Sequence, residues 1–445
     1  MTDPVAFFRD VAARHARCFW LDGGGAREWS GRRSIIGWLD PDDVSLSWSA
    51  TTREVTEHAR GSATVVGDDV FTVLGERIRA GEQWFGYLGY AARTDLPATP
   101  DPLLPDAVWM RPRAVRVFEH AVAAPSRPPQ DPPDSPDPPL TRGIANFRGP
   151  AHPGKFTQTP GSPQARPSAP PAMSAPPAEY ADAFARVQEH LHAGNSYEVN
   201  LTHRLTRTSH LDPVTAYLRL RRLNPAPYSG FLQHDVAGAR AWLLSSSPER
   251  YALVSADRHL ETKPIKGTTP RGASPEEDRA HRDRLASDPK TRAENLMIVD
   301  LLRNDLSMVC EVGSVEVPAL MQVETYESVH QLVSTVRGRL RDDVSTVAAL
   351  RTLFPAGSMT GAPKLRTMQV VEEVESTPRG VYAGAFGWIS GDGPADLGVV
   401  IRSLTTDGSG TWSLGTGGGI TVRSDLAEEW AESQWKAERL LRVFD

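Results

Sequence analysis

The chemistry of this chain opens on one lysine. In the stretch ETKPIKGTTPRG, Thr262 to Lys266 reads as extended, with Pro264 keeping its predecessor out of the helical region, and Gly267-Thr268-Thr269-Pro270 is expected to end it. At a strand exit the sheet can hold Lys266, point it into a cleft and partly desolvate it, so that a neutral, nucleophilic fraction exists near neutral pH. A solvated loop lysine fits the same string. Near the C-terminus, Glu429, Glu432 and Lys436 are spaced i, i+3 and i+7 and share one helix face. They read as a solvated face with a Glu432 to Lys436 salt bridge, or as a hard-cation site. In the second case one or two carboxylates hold Mg²⁺ in a largely hydrated shell whose open positions take an oxyanionic substrate. A further carboxylate must then come from elsewhere, and Glu294, near the start of its own helix, is the candidate. Glu249, Arg402 and Lys436 add a possible acid and two carboxylate partners. The small-residue loops Ser358 to Lys364 and Gly415 to Ile420 could present backbone N–H groups to an anion, or simply be turns that need positive φ. There is no dinucleotide fingerprint, Walker loop or HExxH zinc motif.

These residues need elements to position them. Residues 1–122 read as an N-terminal α+β region, with Phe7, Phe8 and Val11 at helical spacing and buried strands near Ser34 to Trp38 and Trp84 to Tyr90. Residues 123–178 are so rich in proline, without apolar periodicity, that they are expected to form an extended, poorly ordered linker. Residues 179–445 carry the chemistry. A helix with Tyr180, Phe184, Val187 and Leu191 on one face ends at Gly194, and Ser196 to Leu201 alternates like a strand. Ala241 to Ser247 and Tyr251 to Val254 read as a strand pair with Glu249 in the turn. Arg284 to Asn304 contains a helix burying Leu296, Val299 and Leu302. A small-residue loop after Phe354 closes into another helix. Strands at Ala383 to Ile389 and Val399 to Leu404 lead to a glycine turn at Gly415 to Gly419, and a last helix starts near Asp425 with Glu428 as its capping-box partner.

Composition narrows the class. The 445 residues include 40% hydrophobic side chains, enough for a sizeable core, and 49 basic against 55 acidic residues give a net charge of −6 with no long run of either sign. That argues against nucleic-acid or membrane-surface partners and for small-molecule chemistry. Cys18 and Cys310 are too few for a disulfide framework or a cysteine metal site and are expected to be buried thiols. Charged residues interrupt the first apolar stretch and no apolar run could span a bilayer, so a cytoplasmic location is expected.

The longer strings resemble a family. SPER (Ser247 to Arg250), KPIKGTTPRG (Lys263 to Gly272), RAENLMIVDLLRNDL (Arg292 to Leu306), FPAGSMTGAPK (Phe354 to Lys364) and GTGGGI (Gly415 to Ile420) resemble, in order, those of the chorismate-utilising enzymes. Among these the resemblance is to the aminodeoxychorismate synthase component I subfamily. It runs from about Glu179 to the C-terminus, with fainter echoes in SGRRSIIG and WFGYLGY. Related anthranilate synthases usually have alanine where PIKGT has Lys266, and isochorismate and salicylate synthases carry a lysine base where this chain has Glu198. The resemblance implies an α+β fold with two facing antiparallel β layers flanked by helices, and a cleft lined by the C-terminal half.

It also implies a mechanism. Mg²⁺ on Glu294 and Glu432, with Glu429 as an outer ligand, would bind the ring carboxylate of chorismate. Arg402, Lys436 and the backbone of Gly417, Gly418 and Gly419 would hold carboxylate oxygens, while Thr360, Gly361 and Tyr382 line the pocket. Lys266 would attack C2 while Glu249 protonates the leaving 4-hydroxyl, and ammonia at C4 would expel the lysine. The product would be 4-amino-4-deoxychorismate, the precursor of 4-aminobenzoate. The chain shows no amidotransferase signature, so ammonia would come from a separate glutamine amidotransferase subunit, and a downstream aminodeoxychorismate lyase would take the product. Where the family's VxHLVS segment has histidine before leucine, this chain has Gln331, which fits an enzyme that stops before pyruvate elimination. Two other functions stay open: an anthranilate or 2-amino-2-deoxyisochorismate synthase, and a catalytically silent regulatory subunit that binds chorismate or an amino acid.

Overall fold

The computed structural model describes residues 3–23, 33–120, 175–326 and 329–445. Most of the expected linker, residues 123–174, lies outside the described residues. The segments on either side of it contribute strands to the same two sheets. One antiparallel sheet of nine strands carries Gly361–Ala362, Glu198–Thr208, Thr411–Ile420, Ser403–Thr406, Ala241–Ser247 and Tyr228–His234, and is completed by Arg17–Asp22, Arg33–Leu39 and Val115–Glu119 from the N-terminal region. The second sheet, of twelve strands, joins Gln83–Leu88 of the N-terminal region to Ala385–Ser390 of the C-terminal one. Residues 1–121 and 175–445 accordingly form one compact unit.

The two layers face each other across a core in which Phe19 of the first sheet stacks on Phe85 of the second at 4.1 Å, with Tyr87, Leu232, Leu243 and Phe386 around them. Helices cover the outer faces. Pro4–Arg14, Pro213–Leu223 and Leu426–Leu441 bury apolar stripes over the nine-stranded sheet, and Val70–Arg77, Pro289–Ser307 and Thr346–Leu353 do so over the other. This is the expected α+β architecture of two facing layers flanked by helices. Both cysteines are buried and free, and no described helix is long and apolar enough to cross a membrane.

Several local expectations change in ways that matter for the site. Gly267 to Pro270 do not end the lysine strand. Proline 264 instead separates His259–Lys263 from Ile265–Pro270, and both strands pair with Val329–Arg339. The register slips between Ile265 and Thr268, and Gly267 sits at φ +80°, so Lys266 lies at a bulge that re-aims its side chain. Ala241–Ser247 and Arg250–Val254 are not partners either, because they belong to opposite sheets. Pro248-Glu249 is the crossing between layers. The expected glycine turn is the end of a ten-residue strand, Thr411–Ile420, paired along its length with Glu198–Thr208. The glycines there serve close approach rather than turning, since none of 415, 417, 418 or 419 has positive φ.

The expected helix within Arg284 to Asn304 is two helices, Pro275–Ser287 and Pro289–Ser307. Asp288 separates them, capping the second through Thr291 N at 2.7 Å with Pro289 in the first turn. Val299 and Leu302 are buried as expected, but Leu296 is 52% exposed. The buried stripe runs one position earlier, from Asn295 through Ile298, because Asn295 is fixed inside by the Ser334 hydroxyl, which donates to it at 2.5 Å. A strand unforeseen in the sequence, Ala395–Val399, pairs with Ala385–Ser390, and the expected strand through Val399 to Leu404 breaks at Arg402.

Candidate active site

The elements just described converge on a cavity of about 140 Å³. The bulged strand brings Lys266, the sheet crossing brings Glu249, and the capped helix Pro289–Ser307 brings Glu294. Gly417, Gly418 and Gly419 line it from the end of their strand, and Glu429, Glu432 and Lys436 from the final helix, whose N-cap Asp425 accepts from Ala427 N and Glu428 N. Tyr382 and Arg402 close the far wall. An adjoining cavity shares Tyr382 and Gly415 but holds the closed Arg204 to Asp101 ion pair rather than a cluster of uncompensated charges, and therefore lacks this chemistry.

Lys266 is only 8% exposed, and its Nζ donates to Oε1 of the fully buried Glu198. Burial alone would lower the amine's pKa. The Glu198 carboxylate, with Glu294 and Glu249 beyond it, outweighs burial and raises it. The expectation of a neutral fraction near neutral pH is thus corrected: at rest Lys266 is an ammonium, because the carboxylates around it more than repay its lost hydration.

Glu249 has the opposite balance. Burial pushes its carboxyl up to about 7, against a 2.5 Å hydrogen bond donated by Ser358 and the nearby charges of Lys266 and Arg402. It can therefore carry a proton at neutral pH and release it, as a general acid must. Arg402 has no hydrogen-bond partner among the described residues, and burial, then the neighbouring Arg439, lowers its pKa to about 10. It also holds a left-handed φ of +48°, a conformation costly for a branchless but bulky side chain and found where a site dictates the backbone. A half-buried guanidinium without a partner, beside a cavity, is a receptor for a carboxylate.

The residues present fit a Mg²⁺ ion of the hydrated kind. No described group of three or more His, Cys, Asp or Glu side chains forms a closed metal cage. The cavity instead offers hard oxygens short of partners. Buried Glu294 Oε1 makes no hydrogen bond, with Lys290 Nζ at 4.0 Å, and burial first, then Glu198 among the groups that raise it, bring its pKa to about 7 against the charges of Lys266 and Lys290. Glu432 pairs with Lys436 at 2.8 Å, which holds its carboxyl below the ordinary value. Glu429 is already engaged by Lys290 and the Ser424 hydroxyl, each at 2.7 Å, which suits an outer position better than a direct one. Lys436 also donates to the Gly417 carbonyl at 2.8 Å.

Two of the expected lining residues lie behind the wall. Thr360 is fully buried and donates within its own turn to the Gly357 carbonyl at 3.2 Å. Gly361, at φ +115°, pairs with Val199, and the Glu198 carbonyl fills the place of a side chain there. Both brace the strand that carries Glu198. Three lining or contacting residues were not singled out for these roles from sequence: Glu198 as the lysine's partner, Lys290 and Ser358. A signal existed for the first two. Glu198 sits on an otherwise buried alternating strand, where a carboxylate demands a partner, and Lys290 stands four residues before Glu294 on one helix face. Gln331 lines the cavity, whereas His330 points away to Asp278 and Thr325, each at 2.9 Å.

Comparison with known proteins gives the family and the fold. Residues 16–442 match the family described as chorismate binding enzyme. The chain is 53% identical to aminodeoxychorismate synthase of Streptomyces pristinaespiralis over 249 residues, covering 56% of this chain and 34% of that protein. It is 44% identical to aminodeoxychorismate synthase component 1 of Klebsiella aerogenes over 267 residues, covering 60% of this chain and 58% of that one. It thus spans between a third and three-fifths of the length of these curated relatives. Among solved structures, anthranilate synthase component I from Streptococcus pneumoniae superimposes with a TM-score of 0.69 at 25% identity, covering 93% of each chain. With the family's match extending over nearly the whole chain and the same fold in a solved relative, this protein belongs to the chorismate binding enzyme family.

Proposed function

We propose that the chain aminates chorismate at C4 to give 4-amino-4-deoxychorismate, using ammonia from a separate glutamine amidotransferase subunit. The observation that carries this reading is Lys266: a buried amine in the cavity wall, facing a carboxyl group that can hold a proton at neutral pH. Arg402 and Lys436 offer cationic donors to the substrate's carboxylates, and the strand end at Gly417 to Gly419 lines the cavity beside them. When bound, Mg²⁺ would be held by Glu294 and Glu432 with Glu429 outside them, and would neutralise the substrate's ring carboxylate. Lys266 forms a C–N bond at C2, the ring double bonds shift, and the C4–O bond breaks as Glu249 gives its proton to the departing hydroxyl, which leaves as water. Ammonia then bonds to C4 and the lysine leaves by the reverse shift.

The names of the relatives support the substrate and, through "component 1", a second subunit. Gln331 in the cavity wall has no basic nitrogen, which supports a product that keeps its enolpyruvyl group. A separate lyase would then have to remove that group. The test is direct: incubate the purified chain with chorismate, Mg²⁺ and ammonium and identify the product. We expect 4-amino-4-deoxychorismate, and anthranilate or a 2-amino product as the main species would overturn the assignment.

A further inference from the structure

We propose that Glu198 is the positioning residue and proton acceptor for Lys266, holding the amine at one point of the cavity wall as an ammonium and taking its proton as the nitrogen attacks. The inference rests on Lys266 being the nucleophile of the reaction proposed above.

Glu198 is fully buried in a strand paired on both sides, with Ala362 as its neighbour in one direction and Thr411–Ile420 in the other. Its Oε1 accepts from Lys266 Nζ, and its Oε2 has no hydrogen-bond partner among the described residues. Stability does not account for such a group. Removing two charges from water costs several kcal/mol per ion, and a well-packed apolar pair of similar size is often no less stable (about 1–4 kcal/mol in the apolar pair's favour). The surroundings are nevertheless shaped to keep it. A Cβ at Gly419 would land on Glu198 Oε1 and come within 3.1 Å of Lys266 Nζ, so three strands meet around the pair with space for nothing more.

Other charged groups face Lys266 from each neighbouring element: Glu249 from the sheet crossing, Glu294 from the helix Pro289–Ser307 and Glu432 from the final helix. These act on it through charge, and among the described residues Glu198 is the one in hydrogen-bond contact. Proton transfer needs that contact. One N–H proton passes from Lys266 to Glu198, and the freed lone pair forms the bond to C2. Glu249 loses its own proton to the leaving hydroxyl. The two carboxyl groups thereby exchange protonation states, the adduct nitrogen remains a secondary ammonium, and no outside base is needed.

The test uses a reagent that ignores chorismate. Cyanate carbamylates only neutral amines, and Lys266 lines the cavity, where so small a reagent can reach it. The full chain and its Glu198→Gln variant are treated over a range of pH, and the Lys266 peptide is quantified by mass spectrometry against an added lysine peptide. Glutamine keeps an acceptor oxygen but not the charge. We expect the labelling midpoint to fall by at least about one pH unit, which is about tenfold more labelling at any pH below both midpoints. An unchanged midpoint overturns the proposal. If the Gln variant does not fold, Glu198→Asp, which withdraws the charge by one methylene, should lower the midpoint by a smaller amount, and no change there counts equally against it. With chorismate and limiting ammonia, the folded Gln variant should also form its covalent adduct with a rate that tracks the new Lys266 midpoint. A chain that shows the labelling shift but makes no aminated product would fail the functional reading and leave the pairing intact. An active chain without the shift would fail the pairing alone.

Discussion

Lys266 and Lys364 both pair with buried carboxylates, and they differ in almost everything that follows. Lys364 donates to the Leu353 carbonyl at 2.6 Å and pairs with Asp305 at 2.7 Å in the packed interior beside Tyr251. Burial, aided by the charge of Arg93, outweighs Asp305 and lowers its pKa. Lys266 pairs with Glu198 at the edge of a cavity and has two more carboxylates close by, which together raise its pKa. One lysine is balanced one-for-one and closed off. The other stands in a surplus of negative charge that faces open space. A pair of the first kind fastens segments together, and a surplus facing a cavity is what a cationic cofactor and an anionic substrate can complete.

Removing each amine should separate the two roles. Lys266→Ala is expected to lose the chorismate adduct, seen in intact mass, and C4 amination per folded molecule by about 10²-fold or more, and to lose stability as well because it leaves Glu198 buried without its partner. An alanine variant that aminates C4 at the normal rate would end the nucleophile assignment. Lys364→Met should cost stability alone. By leaving Asp305 buried without its partner it is expected to cost about 3–5 kcal/mol of stability in denaturant titration, with turnover per folded molecule within a few-fold of the parent.

A smaller effect concerns pH. Glu249 has a folded pKa of about 7 against an ordinary 4.5, so the fold favours its protonated form. Its contribution to stability is therefore full below about 4.5 and is lost as pH rises through about 7. As the general acid it should also impose a fall in turnover over that upper limb, and Glu249→Gln should remove both the limb and most of the activity. A parent profile that stays flat from pH 6 to 8.5, with chemistry shown to be rate-limiting, would speak against the acid role. The smallest change is expected at an exposed pair. Arg337 and Glu316 are joined at the surface, so Arg337→Ala should shift stability by no more than about 0.5 kcal/mol, and a loss as large as that of Lys364→Met would mean that burial is not what separates these pairs.

Much of the site was legible because its spacing is local. Glu429, Glu432 and Lys436 lie on one helix face whatever the rest of the chain does, and Asp425 caps that helix as its sequence suggests. Strand partners were less legible, since alternation marks a strand without naming the sheet it joins. Ala241–Ser247 and Arg250–Val254 look like a hairpin and instead span two sheets, which is why Glu249 ends between the layers. The glycines from 415 to 419 look like a turn for a similar reason. Nothing local in the sequence says that Tyr382 will pack against the first of them or that the Glu198 carboxylate will fill the space beside the last.

The sequence by itself therefore determined the residue types of the site, the helices that carry Glu294 and the Glu429 to Lys436 face, the two-layer fold through its family motifs, and the lysine that distinguishes the subfamily. Tertiary structure decided the charge state of that lysine. Its partner lies 68 residues away in the opposite sheet, and only the pairing of Glu198–Thr208 with Thr411–Ile420, and of Ile265–Pro270 with Val329–Arg339, brings the two side chains together. A pKa follows from burial and from the distance to every neighbouring charge, and those quantities exist only once the sheets have met.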